Sequence, residues 1–327
     1  MSGLEGREGV SFAALEPSLE ELVDVALMFP GQGSQYPRMA ASLYGTDAVF
    51  TSVVDEVFEL FGEVGSAACE DWLSGADVDH VSRAQPLLFA VDYALGRTVL
   101  SWGVEPVALI GHSAGEVVAA TLAGVFSLEE AVSLVRDRVL SAVPIPSGGM
   151  LAVAAAEADL VPYLEGDVAI AAVNSARQTM LAGPDEPLAR VRARLEADEY
   201  VVVTVPASTP FHSPAMQPAV DEALASWSAA PVAPSMPVYS GYTGKLMTAE
   251  DALSPRFWTR QLTDAVYFGP ALNELVAMYD VLLVEAGPGQ TLTSFARRTK
   301  AVRSGASQVL PLLDAADSVE TARARLA

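Results

Sequence analysis

Gly111-His112-Ser113-Ala114-Gly115 is the segment whose residue types most directly suggest chemistry. It has the G-x-S-x-G pattern. The compact apolar run Val107–Ile110 precedes it, and a helical pattern from Glu116 to about Gly124 follows. A strand that empties into a tight turn and then a helix lifts the serine hydroxyl into the open, and the glycines permit the turn because they carry no Cβ. The helix start behind the serine offers unpaired N–H groups, notably that of Ala114, to a developing oxyanion. This setting predicts a nucleophilic Ser113; the bland alternative is a capping serine at an ordinary strand-to-helix turn.

A serine nucleophile needs a base. The chain has three histidines. His112 adjoins Ser113, so a tight turn points it elsewhere, and it reads as a packing residue. His80 lies in the acidic run Asp77-Val78-Asp79 and reads as surface. His212 follows the strand pattern Tyr200–Val205 in a loop, where catalytic groups gather in open α/β sheets. It is the expected base. No carboxylate is obviously placed to orient its ring, so a backbone carbonyl is expected to do so, giving a dyad. A second glycine loop, Pro30-Gly31-Gln32-Gly33-Ser34-Gln35, matches neither nucleotide-binding glycine pattern. Its backbone can supply a second oxyanion donor. The chemistry alone is acyl transfer through an acyl-serine, with hydrolase and transferase both open.

The elements that must position these residues alternate. Val25–Phe29 and Val107–Ile110 read as buried strands, 37–63 and 84–103 as helical. Such alternation predicts an α/β fold with a mainly parallel sheet covered on both faces. The middle differs. Strands Met150–Ala156, Val168–Asn174, Thr179–Ala182 and Tyr200–Val205 enclose helices Glu157–Glu165 and Glu186–Asp198. That is the order of a ferredoxin-like module. It reads as an insertion, because alternation resumes with Val281–Val284 and a helix Gln290–Arg298. Residues 1–24 read as a polar extension ending in a short helix, Leu19–Asp24. The expected division is 25–148 with 212–327 as the large unit and 149–211 as the small one.

Composition bounds the partners. With 19 basic and 41 acidic residues the net charge is −22, which argues against nucleic acid and anionic membrane as partners, since phosphate binding runs on clustered Lys and Arg. No apolar run approaches the roughly 18 residues of a membrane span. One cysteine, Cys69, excludes an internal disulfide, and the few Cys and His residues argue against a zinc site. The expectation is a cytoplasmic globular protein.

Met28–Gln35, Gln85-Pro86, Gly111–Glu116, Asn174-Ser175, Phe211-His212-Ser213 and Glu285–Gly289 stand in one order along the chain. Together they resemble the malonyl-CoA:acyl-carrier-protein transacylase family, which includes the acyltransferase domains of polyketide synthases. The resemblance runs from about Val25 to Arg298. It implies an α/β-hydrolase-like large subdomain with an inserted ferredoxin-like one. It implies Ser113 as acylated nucleophile, His212 as base, and the N–H groups of Gln32 and Ala114 as oxyanion hole. Gln85, Asn174 and the loop around Thr263–Tyr267 are implied as active-site support, and Phe211 as a substrate-binding residue, since a Phe-His ending is common in malonyl-type domains. The family uses no bound cofactor; CoA or the phosphopantetheine of an acyl carrier protein brings the acyl thioester.

The resemblance also places a carboxylate-binding arginine at Arg138, 25 residues after Ser113. Here the sequence departs from the family, because Val139–Pro144 is a few residues shorter than usual. A shortened helix end is expected to turn Arg138 away and widen the pocket. The leading expectation is therefore a free-standing acyltransferase that serves a polyketide or macrolactam pathway in trans with an unusual aminoacyl or dipeptidyl donor. A malonyl transacylase is the alternative and an editing hydrolase a further one; a catalytically idle carrier-binding module conflicts with the presence of Ser113 and His212. Carrier proteins are acidic, so docking on this acidic chain needs a local basic patch. Arg297, Arg298 and Arg303, with Lys300, are the expected one.

Overall fold

The computed structural model describes residues 24–326. The expected helix Leu19–Asp24 lies outside the described residues, except that Asp24 opens the first strand, β1 (Asp24–Phe29). The others are β2 (Ala108–Gly111), β3 (Gly148–Val153), β4 (Ala169–Ser175), β5 (Gln178–Pro184), β6 (Val202–Val205), β7 (Val238–Ser240), β8 (Lys245–Leu246), β9 (Val281–Glu285) and β10 (Gln308–Pro311). One six-stranded sheet has the order β10-β9-β1-β2-β7-β8. All its pairs are parallel except the β7–β8 hairpin. β1, β2, β7 and β9 are buried almost throughout, as apolar strands covered on both faces must be. Separate apolar cores fill the two sides. Phe29 is in register with Gly111. Both glycine loops therefore leave the sheet at one carboxyl edge, the place where open α/β sheets build sites.

The second sheet has the order β4-β5-β3-β6 and is antiparallel. That is the strand order of a ferredoxin-like module. The helix Asp185–Ala197 covers it with Leu188, Val191 and Leu195 buried, on the face that the sequence spacing predicts. The shorter helix stops at Leu160 and continues as a 3₁₀ turn, Val161–Tyr163. Pro162 has no N–H to extend it to Glu165.

The helix expected over 37–63 is a difference. Residues 37–47 form turns, with Arg38 and Ala40 at φ 62° and 56°. The first helix runs Ala48–Phe61, capped where the Asp47 carboxylate accepts from Phe50 N–H, and a second, Glu63–Ser74, follows the break at Gly62. Apolar spacing alone does not show the break; the Asp47 cap is the local signal that marks the start.

Candidate active site

The turn between β2 and the helix Gly115–Leu122 is as tight as its glycines imply. A Cβ on Gly111 would lie 2.2 Å from Glu116 N, and one on Gly115 would lie 2.1 Å from the Phe29 carbonyl. No other residue fits either position. Ser113 between them takes φ 52°, a left-handed conformation that an L-residue holds at a cost.

His212 reaches this turn from the loop after β6. Its Nε2 lies 2.7 Å from Ser113 Oγ. Its Nδ1 lies 2.9 Å from the Asp264 carbonyl, and its backbone N–H donates to the Leu262 carbonyl at 2.7 Å. A carbonyl only accepts, so Nδ1 carries the proton and the Nε2 lone pair faces the serine hydroxyl. Burial pushes the His212 pKa down to about 4, with the Asp264 hydrogen bond opposing and the charges of His112 and Arg138 adding to the shift. The imidazole is neutral at pH 7, as a base for Ser113 must be.

The first glycine loop packs onto the same turn. A Cβ on Gly31 would come within 2.5 Å of the His112 carbonyl, so only glycine brings this loop so close. Gln85 Nε2 donates to Gln32 Oε1 at 2.9 Å and fixes the loop from the helix Val81–Ser101. Among the described residues, neither Gln32 N–H nor Ala114 N–H donates a hydrogen bond. Both stand free beside the Ser113 turn.

The remaining histidines are placed as the sequence suggests. His112 Nε2 bonds the buried Asn174 Oδ1 at 2.8 Å and the ring packs on Phe268. His80 is exposed and caps the helix Val81–Ser101. Asn174 and Phe211 line an open cleft of about 260 Å³ over Ser113, walled by Met150, Met180, Leu292 and Phe295. Gln178 stands in that wall and accepts from Arg298 Nη1 at 2.6 Å, which puts Arg298 at the cleft's rim. Arg297 and Arg303 are exposed nearby, and neither forms an ion pair among the described residues.

Arg138 requires a correction. It is not turned away from the site. It is 7% exposed and lines, with Ser113, Gln85, Phe211 and His212, a recess of only about 20 Å³. Its Nη2 donates to the Trp258 carbonyl at 2.9 Å and to Gln261 Oε1 at 2.6 Å. Its Nε is buried without a partner among the described residues. The helix Leu128–Ala142, started by a Ser127–Glu130 capping box, continues a full turn past Arg138. Burial lowers the guanidinium's pKa, with Tyr242 and Glu116 opposing.

Three contributors escaped the sequence reading. Gln261 links Arg138 to the buried Glu116, whose oxygens also accept from Ser240 Oγ at 2.7 Å and Gly241 N at 2.8 Å. Burial raises the Glu116 pKa to about 8 against those hydrogen bonds. Tyr242 closes the recess beside Ser113. The signal for Tyr242 is weak but present. Val238–Ser240 is a short apolar run ending in Ser-Gly, and Tyr242 lies two residues past it at the sheet's carboxyl edge.

The comparisons with known proteins agree with this geometry. Residues 26–323 match the family described as acyl transferase domain. A phenolphthiocerol/phthiocerol polyketide synthase subunit of Mycobacterium tuberculosis is 37% identical over 280 residues, 84% of this chain but 19% of that protein. Polyketide synthase GfsA of Streptomyces halstedii is 34% identical over 305 residues, 88% of this chain and 4% of that protein. The chain thus spans about a fifth or less of the length of these relatives. Among solved structures, the acyltransferase domain from the second module of the salinomycin polyketide synthase has a TM-score of 0.85 at 32% identity, covering 93% of this chain and 72% of that one. FabD from Acinetobacter baumannii has a TM-score of 0.81 at 28% identity, covering 94% and 99%. The strand order, the Gly111–Gly115 turn and these matches lead to one conclusion: the chain belongs to the acyl transferase domain family, the family of the polyketide synthase acyltransferases and FabD.

Proposed function

We propose that the chain loads an acyl group from a thioester onto Ser113 and passes it to the phosphopantetheine thiol of an acyl carrier protein. The hydrogen-bond line from Ser113 through His212 to the Asp264 carbonyl carries this reading. As Ser113 Oγ attacks the thioester carbonyl, His212 Nε2 takes its proton. The N–H groups of Gln32 and Ala114 receive the oxyanion. The imidazolium returns the proton to the leaving thiolate, which departs as a thiol. In the second half the carrier's thiol gives its proton to His212, attacks the acyl-serine carbonyl, and Ser113 Oγ regains the proton. Gln85 and Asn174 support this machinery through Gln32 and His112. In the same reading residues 149–211 form the smaller unit, whose sheet walls the cleft for the thioester arm, and Arg297, Arg298 and Arg303 receive the acidic carrier.

The acyl group is a compact carboxylated one, of the malonyl class. A buried guanidinium with an unpartnered Nε, in the recess next to the nucleophile, is suited to a carboxylate. The aminoacyl or dipeptidyl donor is the second reading. The 260 Å³ cleft favours it, since a longer acyl group fits there and not in the recess. Intact-protein mass spectrometry after exposure to malonyl-CoA, acetyl-CoA and aminoacyl-carrier donors decides between them. Ser113→Ala is expected to take no mass from any donor. Normal labelling of that variant removes the serine from the mechanism. A wild-type acyl-enzyme that loses its acyl group to water as fast as to a carrier identifies the hydrolase instead.

A further inference from the structure

Glu116 has no place in the steps above, yet it lies fully buried in the first turn of the helix behind Ser113. A carboxyl at such depth needs a counter-charge or a proton. Its Oε1 accepts from Ser240 Oγ at 2.7 Å and from Gln261 Nε2 at 3.4 Å, and its Oε2 accepts from the Gly241 N–H at 2.8 Å. Gln261 Oε1 in turn accepts from Arg138 Nη2 at 2.6 Å. A guanidinium only donates, so the Gln261 amide can stand only one way, with its oxygen to Arg138 and its N–H to Glu116. Among the described residues Arg138 is the one cation that faces Glu116. The other titratable groups facing it are Tyr242, past β7, and Asp251, on the helix Ala249–Leu253. Asp92, on the packed helix Val81–Ser101, borders Gly115 and Val117 instead.

The charge balance of this closed space changes with the cargo. In the empty site an ionised Glu116 and Arg138 cancel. A malonyl carboxylate on Arg138 adds a second anion, and two carboxylates then share a single guanidinium. The balance returns when Glu116 takes a proton. Ser240 Oγ can receive that proton in a hydrogen bond, because a hydroxyl both donates and accepts. We propose that Glu116 is a positioning residue that acts on Arg138 through Gln261, a carboxylate while the site is empty and a neutral acid once a carboxylated acyl group is loaded, so that in alkaline solution such loading takes up a proton from solvent. The proposal rests on the carboxylated-acyl reading. Burial already holds the Glu116 pKa at about 8, so the added anion acts on a group poised to titrate. The coupling is reciprocal: an ionised Glu116 weakens malonyl capture by the factor by which malonyl favours its protonation.

The test is single-turnover loading of the full chain from malonyl-CoA and from acetyl-CoA across the alkaline range, read by rapid quench and intact mass. Acetyl-CoA shares every step except the carboxylate, so the malonyl-to-acetyl rate ratio isolates the coupling. In the wild type that ratio is expected to fall by about 10- to 100-fold between about pH 7 and about pH 9.5, the ordinary range of coupling between two sites. Glu116→Gln keeps the shape without the charge and is expected to hold the ratio level, whatever its absolute rates. Glu116→Asp restores a titratable group and is expected to restore the fall. A second measurement needs no variant. In weak buffer at about pH 8.5, an indicator dye is expected to report more proton uptake during malonyl than acetyl loading, by up to about one proton per acylated Ser113. A level wild-type ratio, an equal fall in folded Glu116→Gln, or equal proton uptake from the two donors overturns the proposal. A wild type that takes no malonyl at any pH fails the carboxylated-acyl reading and this one with it, whereas an enzyme that loads malonyl with a level ratio overturns the Glu116 assignment alone.

Discussion

Replacing Arg138 with alanine tests the substrate class most directly. The side chain is almost fully buried beside the recess, gives two hydrogen bonds through Nη2, and has a buried Nε without a partner among the described residues. If a malonyl carboxylate takes that place, removing the guanidinium strands a buried anion. Breaking a buried, hydrogen-bonded ion pair from one side costs about 3–5 kcal/mol, or a factor of a hundred to several thousand. Arg138→Ala is therefore expected to slow malonyl loading of Ser113 by more than about 100-fold while acetyl loading changes much less. Arg138→Lys keeps the charge without the planar fork and is expected to fall between. The substitution also leaves the Trp258 carbonyl and Gln261 Oε1 without a donor, at about 1–3 kcal/mol each. Thermal unfolding must therefore accompany the kinetics. The assay is rapid-quench loading from each CoA ester followed by intact mass. Equal losses for malonyl and acetyl in a folded variant would refute carboxylate recognition. Poor malonyl loading by the wild type, unchanged in Arg138→Ala, would restore the aminoacyl or dipeptidyl donor.

His212→Ala is expected to slow acylation by about 100-fold or more. The pH profile of the free wild-type enzyme carries a sharper mark. The buried imidazole protonates only near pH 4, so acylation is expected to stay level as pH falls through 6.5 and to drop as it approaches 4. An inflection at the ordinary histidine value would show that the base is a solvated histidine. The same depression means that the unfolded chain binds this proton first, so stability is expected to decline between pH 6.5 and about 4, by up to about 3 kcal/mol. Chemical denaturation across that window measures it. Changing Arg297, Arg298 and Arg303 together to Glu is expected to raise KM for the carrier protein and spare loading from a CoA ester. Equal carrier KM at low salt in variant and wild type places docking elsewhere.

The nucleophile turn and its base are legible because they are local patterns. Gly111–Gly115 encodes its turn through two glycines that nothing else can replace, and His212 follows a strand into a loop. The peptide carbonyl that orients the ring is foreseeable as a kind of group, though Asp264 itself is indicated only by the family resemblance. What escaped depends on distance in the chain. Arg138 is held by Trp258 and Gln261, more than a hundred residues away, so the length of the segment after it says little about where it points. Tyr242 sits two residues past a three-residue strand, too short to announce itself by periodicity. The turns over 37–47 depend on left-handed Arg38 and Ala40, residue types that carry no warning of that backbone.

The short stretch from Trp258 to Asp264 holds both halves of the recess. Two of its groups grip Arg138, and two of its carbonyls grip His212. The part of the site that recognises cargo and the part that moves the proton are thus bolted to one bracket. A shift of that bracket reaches selectivity and turnover together, so variants that retune what is carried without touching speed must come from elsewhere in the wall. The bracket belongs to neither β6 nor the four-stranded sheet. Two residues past its end, though, Val266 exchanges backbone hydrogen bonds with Ala171 and Val173 of that sheet, so the small unit and the base share one seam, and a sheet exchanged with a relative's must keep that seam to keep the base aimed at its serine.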